Sequence, residues 1–207
     1  MSTIIAEPCA GRTFEPFSPL ERMLDKAHAD FTRNDLLRVL KMTGLERITF
    51  HYTALDGKYK QLTLPIASMR RAERILADGE RVDGSSLFRG VVDVSSSDLY
   101  VVPLYSSAFL SPFDDRSLDF TCRFVDRSGE LAGFAPDSVL HNAAALFQKS
   151  TGMELHTLGE LEFFVLRDPV PSYAAPRQRG YHESSPYVKS GAMIDDIVHH
   201  LSHITGA

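Results

Sequence analysis

Hydrophobic positions along the chain change period several times, and each change marks an element. Leu36, Leu37, Val39 and Leu40 recur at helical spacing. A helix is therefore predicted from Asn34, read as its N-cap, to Gly44, since glycine enters the left-handed conformation that ends helices. The period then falls to two. Residues 47–54 and 59–64 are rich in β-branched and aromatic side chains and flank Asp56-Gly57, a pair suited to a tight hairpin.

A second amphipathic helix is predicted over 68–77. The turn Asp83-Gly84-Ser85-Ser86 follows it and leads to a short apolar strand at 99–104, which contains Pro103, and 118–125 alternates as a further strand. Helix, hairpin, helix and strands together predict a small α+β sheet domain over 33–128. Residues 1–32 mix proline, glycine and charge with little periodicity. They are read as a loosely attached leader, in which Leu20, Met23 and Leu24 allow one helical turn. A new unit is expected over 129–207. It comprises a helix at 138–150, an extended run at 153–166, a proline-rich loop at 168–191 and a last helix at 192–204.

Composition narrows the class. With 43% hydrophobic residues in 207, the chain can bury a core, so disorder is not expected. Lys and Arg total 22 against 27 Asp and Glu. That balance offers no basic field for a nucleic acid or an acidic membrane. No eighteen apolar residues run together and the opening segment lacks a basic start, so a soluble, unexported chain is expected. Cys9 and Cys122 are the only cysteines. They form no C-x-x-C, which fits a reducing compartment such as the cytoplasm and excludes a thiolate metal site.

Two short motifs carry candidate chemistry. In the run 158–166, strand periodicity puts Glu160 and Glu162 on one face, about 7 Å apart, with Leu161, Phe163 and Val165 on the other. An isolated E-x-E is more often a strand that wets its charges. In apolar surroundings, however, two close carboxylates repel unless a cation neutralises them, and hard ions such as Mg²⁺ or Mn²⁺ prefer oxygen ligands. Asp83-Gly84-Ser85-Ser86 is by itself an ordinary turn. His199 and His203, four apart on the last helix, are read as solvated because no third ligand accompanies them, and His182-Glu183 as a solvated polar pair of the proline-rich loop. No P-loop or G-x-G-x-x-G motif is present.

Taken in order, the D-G-S-S turn and the E-L-E-F strand resemble glutamine synthetases, from about Asp35 onward. Weaker collinear matches are Ser97-Asp98 with the strand into Pro103, Ser111-Pro112-Phe113, the run Arg123-Phe124-Val125-Asp126, and Gly180-Tyr181. One departure is Leu158, which stands where the family usually has a glycine, with Gly159 following.

The resemblance implies an N-terminal β-grasp domain followed by the first part of a catalytic domain. It implies an ATP-dependent ligase that phosphorylates glutamate and lets ammonia attack the γ-glutamyl phosphate, with Mg²⁺ or Mn²⁺ as cofactor. Asp83 is then expected to bind ammonium and help remove its proton, with Ser86 as a substrate-side loop contact and Glu160 and Glu162 as metal ligands. Active sites are expected between subunits of a homo-oligomeric ring. The family's remaining metal, ATP and substrate residues lie past Ala207, so this chain alone is expected to be an incomplete site. Two alternatives stay open: a ligase of the same family using another amine, such as a polyamine, and a non-catalytic β-grasp interaction module.

Overall fold

The computed structural model describes residues 18–166 and 190–205. Helix α1 (Pro19–Leu24) opens with Ser18 as N-cap, its hydroxyl facing the Glu21 amide. Helix α2 (Arg33–Thr43) follows. Its N-cap is Thr32 rather than Asn34, because Thr32 and Asp35 form a reciprocal capping box: the Asp35 carboxylate accepts from the Thr32 amide at 2.9 Å, and the Thr32 hydroxyl accepts from the Asp35 amide. Gly44 ends α2 at φ +69 as expected.

The hairpin of β1 (Arg47–Thr53) and β2 (Tyr59–Pro65) forms as predicted. Its last pair is Thr53 with Tyr59, so the connection is wider than a two-residue turn, and Gly57 supplies the left-handed residue at φ +72. Helix α3 (Met69–Asp78) starts from Ser68, whose hydroxyl accepts from the Arg71 amide. Strand β3 (Glu80–Asp83), too short to leave a period in the sequence, leads into a single helical turn, α4 (Gly84–Leu87). Strands β4 (Asp98–Pro103), β5 (Phe109–Leu110) and β6 (Ser117–Val125) complete the sheet, in the order β2-β1-β6-β4-β3 with β5 pairing β6. The β1–β6 pairing is parallel and the others antiparallel. Helices α5 (Pro136–Thr151) and α6 (Gly191–Thr205) follow. This mixed sheet with helices is an α+β fold.

Alternation along the central strands divides the sheet into two faces. Ile48 and Phe50 of β1, Leu118, Phe120 and Phe124 of β6, and Val101 of β4 are fully buried with Leu36 and Val39 of α2 and Ile75 and Leu76 of α3. The alternate positions Thr49 and His51 on β1 and Ser117, Asp119 and Thr121 on β6 are polar. Thr49 bonds Ser117 at 2.8 Å, and His51 Nε2 lies 2.8 Å from Asp119 Oδ2, with the Tyr59 and Phe109 rings stacked on either side of the imidazole.

Two expectations are corrected. Residues 18–32 are not loosely attached: Leu20, Leu24 and Phe31 are buried in the same core, because three apolar side chains suffice to dock a short helix that shows little periodicity. The extended run 153–166 forms no strand. It pairs with no other segment among the described residues and every residue in it is exposed, since alternation specifies a strand only where a neighbour takes up its backbone hydrogen bonds. The expected loop at 168–191, with His182-Glu183 and Gly180-Tyr181, lies almost entirely outside the described residues.

Candidate functional site

The D-G-S-S motif sits where β3 hands the chain to α4, and both ends of the turn are fixed. The Gly84 amide donates to the Ser97 carbonyl at 2.7 Å. A Cβ at Gly84 would stand 2.8 Å from that carbonyl and 2.8 Å from the Leu99 side chain, so the position requires glycine by lack of space. Past the turn, Phe88 is fully buried, with its ring edge-on to Phe124 at 4.9 Å and to Phe134 at 5.0 Å. A polar loop is thereby anchored by its neighbours rather than by its own packing.

Between these anchors Asp83 N-caps α4 and is exposed. Its Oδ1 accepts the Ser85 amide at 3.0 Å and the Ser85 hydroxyl at 2.7 Å, and its Oδ2 accepts the Ser86 hydroxyl at 2.5 Å. The Ser86 hydroxyl bond, then that of Ser85, holds the Asp83 carboxyl below the usual carboxylate range. Asp83 is thus an ionised, outward-facing carboxylate of fixed orientation. Ser86, expected as a substrate contact, spends its proton on Asp83.

Asp98, opposite Asp83 at the end of the β3–β4 ladder, takes a bond from Arg81 at 3.0 Å. Ser97, Asp98 and Leu99 also line a cleft of about 700 Å³ with Val91, Asp93 and Phe134. The cleft was not legible in the sequence, because its lining comes from three separate segments, 91–99, 126–127 and 134.

Glu160 and Glu162 are both exposed, on the unpaired run, and neither makes a hydrogen bond or ion pair with another described residue. Their oxygens suit a hard divalent cation, but two exposed carboxylates fall short of a coordination sphere of six or so. No group of three or more His, Cys, Asp or Glu able to hold a metal occurs among the described residues. His199 and His203 have rings 4.1 Å apart, and His203 Nδ1 is spent on the His199 carbonyl at 2.7 Å. Among the described residues no helix is long and apolar enough to cross a membrane.

Comparison with known proteins agrees with this architecture. The family model for the glutamine synthetase β-grasp domain matches residues 44–127. Glutamine synthetase of Methylococcus capsulatus is 30% identical over 142 residues, covering 66% of this chain and 29% of that protein. A 3-hydroxylaminophenol mutase of Cupriavidus pinatubonensis is 29% identical over 132 residues, covering 63% of this chain and 26% of that protein. A solved structure of apo GmaS without ligand superposes with TM-score 0.50 at 17% identity, covering 56% of this chain and 27% of that one. The chain thus spans between a quarter and a third of the length of these proteins. Residues 44–127 thus match the β-grasp domain of glutamine synthetases.

Proposed function

We propose that the chain is the N-terminal part of a glutamine synthetase-type ligase, joining ammonia to the γ-carboxylate of glutamate at the expense of ATP. The observation that carries this reading is the Asp83 carboxylate, ionised, exposed and fixed in a turn whose sequence matches the family's. In the reaction, glutamate is first phosphorylated. Ammonia then attacks the γ-glutamyl phosphate and phosphate leaves.

Asp83 has a defined part in this scheme. A carboxylate held below its usual range attracts a cation well and retains a proton poorly. Asp83 therefore holds the ammonium ion by charge and one hydrogen bond, and the proton the ammonium loses would go by way of Asp83 to water. Glu160 and Glu162 would be available to Mg²⁺ or Mn²⁺, with the rest of the coordination supplied from beyond the described residues. Because the Asp83 turn is exposed and bonded to neither glutamate, it is suited to closing the site of an adjacent subunit in a homo-oligomeric ring. A cytoplasmic location follows from the ATP and glutamate requirement.

A second reading has one observation in its favour. The chain is 29% identical over 132 residues to a protein named as a mutase, beside 30% over 142 residues to a glutamine synthetase, and a different amine or a non-ligase reaction would use the same turn. Phosphate release by this chain grafted in place of the matching segment of the Methylococcus capsulatus enzyme, with ammonium compared against organic amines, separates the two readings.

A further inference from the structure

The polar face of the sheet carries a cavity of its own. Strands β1, β2 and β6, the segment 109–114 and Ile204 of α6 line a space of about 350 Å³. No residue of this lining belongs to the cleft beside the Asp83 turn. A space of that size suits a small molecule.

One wall of the cavity is a fixed hydrogen-bond network. Asp119 is buried; its Oδ2 lies 2.8 Å from His51 Nε2, and its Oδ1 accepts from the Ser117 hydroxyl, which stands 2.8 Å from the Thr49 hydroxyl. A carboxylate only accepts, so Nε2 carries the proton, and in the neutral ring Nδ1 is left as an acceptor. The Tyr59 and Phe109 rings stack on the imidazole at 5.3 and 5.8 Å and fix its plane.

What this network leaves unspent indicates the ligand. Gln61 gives an amide N–H to Thr63 and keeps its oxygen, while Asp114 spends Oδ1 on Arg47 at 2.6 Å and on the Arg116 amide and keeps Oδ2. The bond from Arg47, then that from the Arg116 amide, holds the Asp114 carboxyl below the usual carboxylate range. His51 Nδ1, Gln61 Oε1 and Asp114 Oδ2 are thus three acceptors with no partner among the described residues. The described lining holds two carboxylates and no lysine or arginine, and Phe109, Pro112, Phe113 and Ile204 make the rest of it apolar.

We propose that this cavity binds a small organic ammonium ion with an apolar body, its N–H groups meeting the unspent acceptors and its body lying on the two phenylalanine rings. An anion would face two carboxylates with no cation on the lining to receive it. A bare metal ion finds no group of three ligating side chains among the described residues. An uncharged apolar molecule would cover the acceptors without satisfying them. The proposal does not depend on the ligase reading, since Asp83 takes no part in it.

The test is an amide-detected NMR titration of this chain at neutral pH with benzylamine, using benzyl alcohol and benzoate as uncharged and anionic counterparts of similar shape. Benzylamine is expected to shift the amides of β1, β2 and residues 109–114 saturably, with the other two at least about tenfold weaker. Asp114→Asn should weaken the amine by about tenfold, the order of one charge-assisted hydrogen bond. Gln61→Met, at an exposed position, should weaken it as well, whereas Asp93→Asn in the other cleft should leave it unchanged. The same spectra verify folding, and Gln61→Met decides the matter if Asp114→Asn does not fold. Shifts that fail to saturate, shifts centred on the other cleft, equal affinity for benzyl alcohol, or an affinity unchanged by loss of these acceptors overturns the proposal.

Discussion

The Gly84 amide and the Ser97 carbonyl lie 2.7 Å apart, and this contact fixes the turn that carries Asp83 to the start of β4. The same closeness leaves no room for a side chain at Gly84, where a Cβ would meet backbone and the Leu99 side chain at 2.8 Å.

Gly84→Ala is accordingly expected to destabilise the fold by about 1–3 kcal/mol, the usual cost of overpacking. Gly133→Ala is the control, since a Cβ there meets nothing within 4 Å and its φ is not positive. Urea unfolding of the two variants checks this, and equal midpoints would mean that the turn yields.

The capping box at α2 makes a pH-dependent contribution. A bond from Lys26, then bonds from Thr32, hold Asp35 far below the usual carboxylate range. A group whose folded pKa is depressed stabilises above its unfolded value, about 3.9, and that stability is lost as pH falls through the folded value. Thr32→Ala should cost about 1 kcal/mol near neutral pH. The stability gap between wild type and Asp35→Asn should narrow as pH drops below about 4. Unfolding curves across that range read it directly, and a gap that widened on acidification would reverse the assignment.

Glu160 and Glu162 give a prediction of the opposite kind. Because the described residues contain no cluster of three metal-binding side chains, millimolar Mg²⁺ should leave the Tm of this chain where it is, and Glu160→Gln with Glu162→Gln should change nothing. A Mg²⁺-dependent rise in Tm that disappears in the double variant would show that the two glutamates bind metal within this chain.

Local chemistry made much of the fold legible before the structure. Asp56-Gly57 between two alternating runs announced the β1–β2 hairpin, and Gly44 and Ser68 marked the end of α2 and the start of α3 because each acts through its own backbone or hydroxyl. What escaped depended on partners distant in sequence. Leu20, Leu24 and Phe31 look incidental in a proline-rich segment until the sheet offers them a surface. Thr32 outcompeted Asn34 as N-cap because Asp35 bonds back to it. The alternation at 158–166 was real as a pattern, but without a neighbouring strand it produced no strand.

The candidate site was half legible. D-G-S-S identified Asp83, but nothing in the motif said that Ser86 would occupy an Asp83 oxygen, or that Ser97 and Phe88 would anchor the turn. The two anchors come from outside the motif, Ser97 just before β4 and Phe124 on β6, the latter more than thirty residues downstream.

The most direct test of the central claim is glutamate- and ammonium-dependent phosphate release from ATP by the chain grafted onto the catalytic segment of the Methylococcus capsulatus glutamine synthetase, with assembly verified by light scattering. The account predicts turnover by the graft and a loss of about a hundredfold or more in kcat/KM for ammonium in Asp83→Asn, of the size expected when a positioned acid–base group is removed. An assembled graft that releases phosphate equally well with Asp83→Asn would contradict it.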